Sequence, residues 1–507
     1  MSLFDPSLHA EFAAEALGAA NGHVAVPLTR LHGAALLWLN DEEAQADPAW
    51  AAVRGDREAY VAHLLAACAY RVDAQASSPD RIGIADRYGG GAIGSNGGSG
   101  RAAIIGPYSV KGVGRTPLIG RDVDPGHASG GAYLEECVRE SLLAEIMHRE
   151  LPHGAVRTLA IIATGDVQVW QTPQGPKPER CCLLVRRAFL RPAHLERAPF
   201  YRGSEDLPGL ADAHRVRCMI AALERHAGGT DALQAQLTEG FVRWSRQLSA
   251  TYLLCLPHGG VSSSNVTVDG RLVDFGATAA VPSLARYWVA SGHHPSGEEF
   301  RDIVDTVNGV ACAFRFTAGY GEPARAWRAR TCDAVLRAYG AGLHAALLRL
   351  LGFPAADARR LLAGDAGEAL ARRIDRWLQP FRRRAWSIFE GAPWDTQAMP
   401  DMAALDALEA ELLRIAAEAG VALPASWASS IEARRAIRSR WRAPRSRLDR
   451  DRLKDECYAA LDGRHPDAAD LPSLREAIRQ LIDRVVAEEV RIPLAEMPLA
   501  DTESTCP

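Results

Sequence analysis

The chain has 507 residues, 48% apolar and 24% charged, the mix of an ordinary globular protein long enough for two to four domains. Its 58 Lys+Arg stand against 62 Asp+Glu, a net charge of −4 that excludes a globally basic nucleic-acid coat. No uninterrupted apolar run indicates a membrane-spanning helix, the N-terminus lacks a basic start followed by an apolar stretch, and ten scattered cysteines without a Cys-x-x-Cys pair favour neither zinc nor a disulfide framework, so a reducing cytoplasm is expected.

Residues 1–80 mix helical periodicity with short loops. A glycine-dense stretch over 88–101 runs into a β-like segment, Ala102–Ile105; Gly106-Pro107 makes a turn, and Tyr108–Lys111 returns as a strand. After a loop-like stretch, Leu134, Val138, Leu142 and Ile146 recur every four residues and predict a helix over 132–149. Strands are expected over 158–164, 167–171 and 181–185. Helices are expected over 209–226, 230–256, 299–318 and 324–351, with a loop and hairpin at 258–277. Residues 355–490 read as Ala/Arg/Leu-rich helices broken at Pro380, Pro393, Pro424 and Pro444, with Trp377, Trp386 and Phe389 as core residues and a frayed tail over 501–507.

Three places carry chemistry. The glycines of Gly98-Ser99-Gly100-Arg101 let backbone N–H groups approach phosphate oxygens, and Arg101 adds a bidentate fork. Only three of the 58 basic residues are lysines (Lys111, Lys177 and Lys454), so a lysine beside glycines marks a place where the wide arginine fork would not serve. Lys111 ends a strand, and an acidic helix follows, the order in which a strand lysine holds phosphates and a helix glutamate orients it. Glu135, Glu136, Glu140 and Glu145 are candidates; Glu140 shares a face with Leu143 and Met147 and should be sheltered. The third place runs from His258-Gly259-Gly260 through Asn265 and an Asp269-Gly270 turn to Asp274-Phe275-Gly276. A carbonyl oxygen from Asn265 and a carboxylate from Asp274 suit Mg²⁺, or Mn²⁺ in its place, completed by nucleotide phosphates. Where kinase-like proteins put an aspartate two residues after the histidine, this chain has Gly260. The arginine-rich run from Arg434 to Arg452 alternates with acidic residues at its end and reads as a solvated helix face, so nucleic acid is not an expected partner.

These residues resemble the selenoprotein-O (SelO/YdiU) family, kinase-fold pseudokinases that transfer AMP from ATP to protein hydroxyls. Lys111-Gly112-Val113-Gly114-Arg115-Thr116-Pro117 is the closest match, to the family's Lys-Gly-Ala-Gly-Arg-Thr-Pro; residues 88–94 resemble Tyr-Ala-Gly-His-Gln-Phe-Gly, and Gly98-Ser99-Gly100-Arg101 resembles Gly-Asp-Gly-Arg. The resemblance implies nucleotide contacts at Gly98, Gly100, Arg101, Ser129 and Gly130, and a Lys111–Glu140 pair. It also implies phosphate contacts at Arg191 and at Arg186 or Arg187 (we favour Arg186), and metal ligands Asn265 and Asp274. The implied fold is α+β and bilobed, like a protein kinase: a β-rich N-lobe over 1–190, a mainly helical C-lobe over 191–354 and a helical C-terminal extension over 355–507. Three departures stand out. Ser264 replaces the family's base aspartate, Ser99 and Ser129 replace two further carboxylates, and only Cys506 lies where the family has a redox-active motif. The implied activity is Mg·ATP-dependent AMP transfer to a protein hydroxyl. Two alternatives are adenylation of a carboxylate on a peptide or metabolite, which needs no base, and nucleotide binding without catalysis.

Overall fold

The computed structural model describes residues 22–90, 95–121, 123, 125–173, 175–201, 212–351, 353–390, 394, 402–418, 420, 444–461 and 471–491. Cys506, residues 91–94, Pro393, Pro424, residues 434–443 and the 501–507 tail lie outside them. The described residues form an α+β fold around one antiparallel sheet. Its strands are β1 (His23–Arg30), β2 (Ala35–Leu39), β3 (Tyr70–Val72), β4 (Arg81–Asp86), β5 (Ala102–Ile105), β6 (Tyr108–Lys111), β7 (Ala132–Tyr133), β8 (Ala160–Thr172) and β9 (Gly175–Arg187). They lie in the order β2-β8-β9-β6-β5-β4-β1-β3, with β7 added on β9.

The expected helical periodicity before residue 80 gives way in part to β1 and β2. Val26 and Leu28 do alternate into the core, but Pro27 between them argues against a strand interior and hides the signal. Three helices in this region follow expectation: Asp41–Gln45, Pro48–Ala52 and α1 (Arg57–Cys68).

Strand alternation divides the hairpin β5–β6 between two cores. Tyr108 and Val110 join the core that α1 covers, while Ser109 and Lys111 line a cleft on the opposite face. The β6–β9 register pairs Ser109 with Arg186 and Tyr108 with Arg187, so adjacent arginines leave the sheet on opposite sides. A one-residue slip would exchange them.

The cleft face is packed by α2 (Leu134–Glu150), then by α3 (Asp212–Ala227), α4 (Thr230–Leu253), α5 (Phe300–Cys312) and α6 (Glu322–Leu350). Further on come Ala355–Leu361, α7 (Gly364–Leu378), α8 (Met402–Glu418), α9 (Arg450–Leu461) and α10 (Leu471–Glu489). Both α9 and α10 return to pack on α2, and α10 also meets β2. Trp377 is buried as expected, but Trp386 and Phe389 are exposed, and Phe389 carries the Arg450 guanidinium over its ring. No described helix is long and apolar enough to cross a membrane.

Buried nearly all round, α2 has carboxylates that are answered individually. Glu135 takes Arg139 at 2.6 Å; Glu145 takes Arg157 at 2.6 Å and the Asn40 amide at 2.7 Å; Glu150 takes Arg445 at 2.5 Å. Arg445 also donates to the Glu489 carbonyl at 2.8 Å, tying the end of α10 to the end of α2. Arg445→Met strands Glu150 without its cation, and we expect a loss of about 3–5 kcal/mol in urea-monitored unfolding. The double change with Glu150→Leu costs much less, because no unpaired charge stays buried.

Candidate active site

A cleft of about 210 Å³ opens between the sheet and the helical layer. It is lined by Gly98, Gly100, Arg101, Lys111, Arg186 and Arg191 from the sheet side and by Ser264, Asn265 and Asp274 from the segment before α5. Lys111 is its centre. The Nζ lies 2.7 Å from Glu140 Oε2, 3.1 Å from Glu136 Oε1 and 3.3 Å from Asp274 Oδ1. Burial alone would lower the ammonium pKa, but Asp274 and then Glu140 outweigh it and hold Lys111 charged, above its ordinary value. Glu136 and Glu140 are one helical turn apart, so a single strand lysine meets both. Glu136 also accepts both ends of the Arg101 fork, at 2.8 and 3.2 Å, and Glu140 accepts from Arg186.

Asp274 sits at φ +65°, a left-handed conformation that aspartate tolerates better than most residues. Phe275, fully buried beside the His258 ring, fixes this bend. The Asp274 side chain is 38% exposed at the cleft mouth. Burial of its surroundings raises the pKa, but Lys111, followed by Arg186, Arg101 and Arg191, outweighs that and holds the carboxyl far below the ordinary range. His258 is structural: its Nε2 donates to the Val273 carbonyl at 3.1 Å, and burial lowers its pKa to about 4. The Asp269-Gly270 turn closes as expected, with Gly270 at φ +85° and its N–H on the Thr267 carbonyl at 2.9 Å.

The Asn265 amide nitrogen donates to the Gly260 carbonyl at 2.8 Å, which leaves its side-chain oxygen available to the cleft. Among the described residues no three His, Cys, Asp or Glu side chains gather as a metal cluster. Two hard oxygens, from Asn265 and Asp274, are what the chain offers a Mg²⁺ ion, and nucleotide phosphates would supply others. The Nε atoms of Arg186 and Arg191 are buried without a partner, donors in want of an oxyanion. Arg191 also packs over the Tyr88 and Phe189 rings, at 5.0 and 4.7 Å, and donates to the Ser264 carbonyl.

Of the expected residues, Ser129 and Gly130 are not among those lining the cleft. The Ser129 hydroxyl is engaged by the Tyr133 hydroxyl and the Gly126 carbonyl, both at 2.8 Å, and a Cβ at Gly130 would strike the Arg115 nitrogen. Gly98 and Gly100 line the cleft and also permit close packing, since a Cβ at Gly98 would lie 2.1 Å from the Asp86 carbonyl oxygen. The Ser264 hydroxyl pairs with that of Ser262 at 2.8 Å. Arg187 points to the other side of the sheet.

One feature escapes sequence reasoning. The ring of His194, three residues after Arg191, is buried 3.1 Å from the Asp86 carboxylate, and this pair anchors the loop that carries Arg191. Of the four candidate glutamates, Glu136 joins Glu140 as a second carboxylate on Lys111, as the one-turn spacing between them allows. Burial pushes the Glu136 pKa up, but Lys111 and then Arg101 bring it down to about 2, against an ordinary value near 4.5. A depressed pKa gives stability above the unfolded value and loses it as pH falls. The unfolding free-energy gap between wild type and Glu136→Gln should therefore be constant above about pH 4.5 and close toward about pH 2, read by denaturation at stepped pH.

Residues 99–296 match the family model described as protein adenylyltransferase SelO. A protein nucleotidyltransferase YdiU from Trichodesmium erythraeum is 29% identical over 202 residues, covering 38% of this chain and 40% of the relative. One from Geobacillus kaustophilus is 28% identical over 214 residues (39% and 40%), and one from Bacillus cereus strain G9842 is 27% identical over 192 residues (36% of each). The chain thus spans about two fifths of the length of these curated relatives, as a divergent relative of the family.

Proposed function

We propose, from this similarity to SelO and YdiU nucleotidyltransferases, that the protein binds Mg·ATP in the cleft and transfers AMP to a protein hydroxyl in the cytoplasm. In this reading the fold is the bilobed kinase-like one, with the sheet and α2 in the small lobe, residues 191–354 in the large lobe and the helices after 355 as an extension. The observation that carries it is Lys111, bonded at once to Glu140, Glu136 and Asp274 in a cleft that also holds Asn265 and three arginines.

The roles follow from charge and position. Arg101, Lys111, Arg186 and Arg191 neutralise the triphosphate, and Glu136 and Glu140 keep Lys111 and two of the arginines aimed at it. Asn265 and Asp274 would hold Mg²⁺, which when bound supplies neutralisation of the phosphate oxygens. The acceptor hydroxyl oxygen attacks the α-phosphorus in line as its proton passes to solvent water, the bond to pyrophosphate breaks, and pyrophosphate leaves against the same cations. Orientation and fixed charge supply most of the rate, because Ser264 cannot take the acceptor's proton near neutral pH.

Incubating the protein with ATP labelled in the α-phosphate and cell lysate, then locating AMP adducts by mass spectrometry, tests this reading. AMP on serine, threonine or tyrosine is expected; ATP bound with no adduct and no released pyrophosphate defeats it and leaves a non-catalytic nucleotide-binding protein. The serine at 264 favours a second reading, adenylation of a carboxylate that is already ionised. ATP–pyrophosphate exchange that depends on an added carboxylic acid would identify it. Under either reading, Arg186→Gln should weaken ATP binding by about tenfold or more, since a charged hydrogen bond is lost, whereas Arg187→Gln leaves it unchanged in a fluorescent-nucleotide titration.

A further inference from the structure

Arg187 faces a separate cavity of about 360 Å³ on the α1 side of the sheet. Its apolar walls include Pro48, Ala66, Ala67, Ile105 and Pro107, and Asp47 and Tyr108 lie at its polar end. Asp47 is already occupied. It accepts the Tyr60 and Tyr108 hydroxyls, both at 2.8 Å, and the Ala49 N–H at 2.9 Å. The volume lies within the range of small-molecule sites.

Two guanidinium groups flank the cavity. Arg187 donates to the Ala46 carbonyl at 2.9 Å, and Arg81 to the Ala67 carbonyl at 3.4 Å. Among the described residues neither forms an ion pair with a carboxylate, whereas Arg87, Arg101, Arg157 and Arg186 do. Each guanidinium has five N–H donors; one carbonyl bond holds Arg187, and one carbonyl bond together with the Tyr70 ring, 5.8 Å from the Arg81 guanidinium carbon, holds Arg81, so most of the donors stay unused. His63 Nε2, also at the cavity, is 3.3 Å from the Tyr108 hydroxyl. A bare inorganic ion would gain nothing from the apolar walls, and a neutral apolar molecule would gain nothing from two cations.

We propose that this cavity binds a small organic oxyanion, with its carboxylate or phosphate head on Arg81 and Arg187 and its apolar body against α1 and the β5–β6 turn. The site is independent of the nucleotide reading. It lies across the sheet from Lys111, on the side chains that alternate away from the cleft.

Titration calorimetry on the full chain tests it with phenylacetate and phenyl phosphate, phenylacetamide as the uncharged isostere, and inorganic phosphate. The Lys111→Ala background weakens phosphate binding in the nucleotide cleft, where Arg101, Arg186 and Arg191 remain, so Arg81→Gln, Arg187→Gln and Ala66→Trp are what assign binding to the cavity. Saturable binding of either aromatic oxyanion is expected in that background, and whichever binds identifies the head group as carboxylate or phosphate. The amide should bind at least about tenfold more weakly, and Arg81→Gln and Arg187→Gln should each weaken the oxyanion by about tenfold, the loss of one charge-assisted contact. Ala66→Trp, at an exposed helix position on the rim, should block binding while preserving the thermal unfolding profile. The proposal is overturned by no saturable binding, by an amide that binds as well as the acid, by inorganic phosphate that binds as well as the phenyl ester, or by affinities that ignore both arginine changes.

Discussion

If the cleft transfers AMP as proposed, Asp274→Asn should lower that transfer by about a hundredfold to a thousandfold, the scale on which removal of one fixed electrostatic group acts in an active site. The geometry explains why asparagine is the informative replacement. At φ +65° the backbone is left-handed, a conformation that asparagine shares with aspartate and alanine resists. Asp274→Ala would mix lost charge with backbone strain, whereas Asp274→Asn removes the charge alone. It takes the negative charge, though not the accepting oxygen, from the group 3.3 Å from Lys111 and leaves Glu140 and Glu136 in place, so the ammonium keeps its position. Transfer from α-labelled ATP should collapse while the thermal unfolding midpoint moves little. Undiminished transfer in this variant would remove Asp274 from the chemistry.

Ser264→Asp has the opposite expected sign. Restoring a carboxylate at the position where the related family has one should raise transfer to a hydroxyl acceptor by about a hundredfold, the lower range for a positioned general base. The site has a place for it. Ser262 already lies 2.8 Å from the Ser264 hydroxyl and can donate to a carboxylate, and Arg191 is close by on the Ser264 carbonyl. Initial rates with a serine-containing peptide and with a carboxylic acid, measured side by side, separate the two acceptor readings. A gain on the peptide alone supports a hydroxyl acceptor. No gain on the peptide, together with acid-dependent exchange in the wild type, supports the carboxylate reading.

Local signals make much of the cleft legible in the chain itself. The Gly106-Pro107 turn forces β5 and β6 into a hairpin, and period-2 alternation then sends Lys111 to one face and Tyr108 to the other. The preference for Arg186 over Arg187 rests on the resemblance alone until the register shows which residue of β9 stands opposite Ser109. The acidic face of α2 was similarly opaque. Glu145 and Glu150 look like solvated charges until Arg157 and Arg445 arrive from 12 and 295 positions away to bury them. Pro27 obscures the first strand, the continuous buried run over residues 36–39 of the second lacks the alternation that would tell it from a helix, and the exposure of Trp386 and Phe389 shows that aromatic residues in a helical stretch need not reach a core.

The return of α9 and α10 to α2 places the last described helix against the same element that holds Lys111 through Glu140. Glu150 and Glu140 ride on the same rod, and Arg445 rivets one end of that rod to the carbonyl of Glu489. The two buried acids of one helix thus answer to two different parts of the chain: Glu140 to the strand lysine and Glu150 to an arginine 295 positions further on.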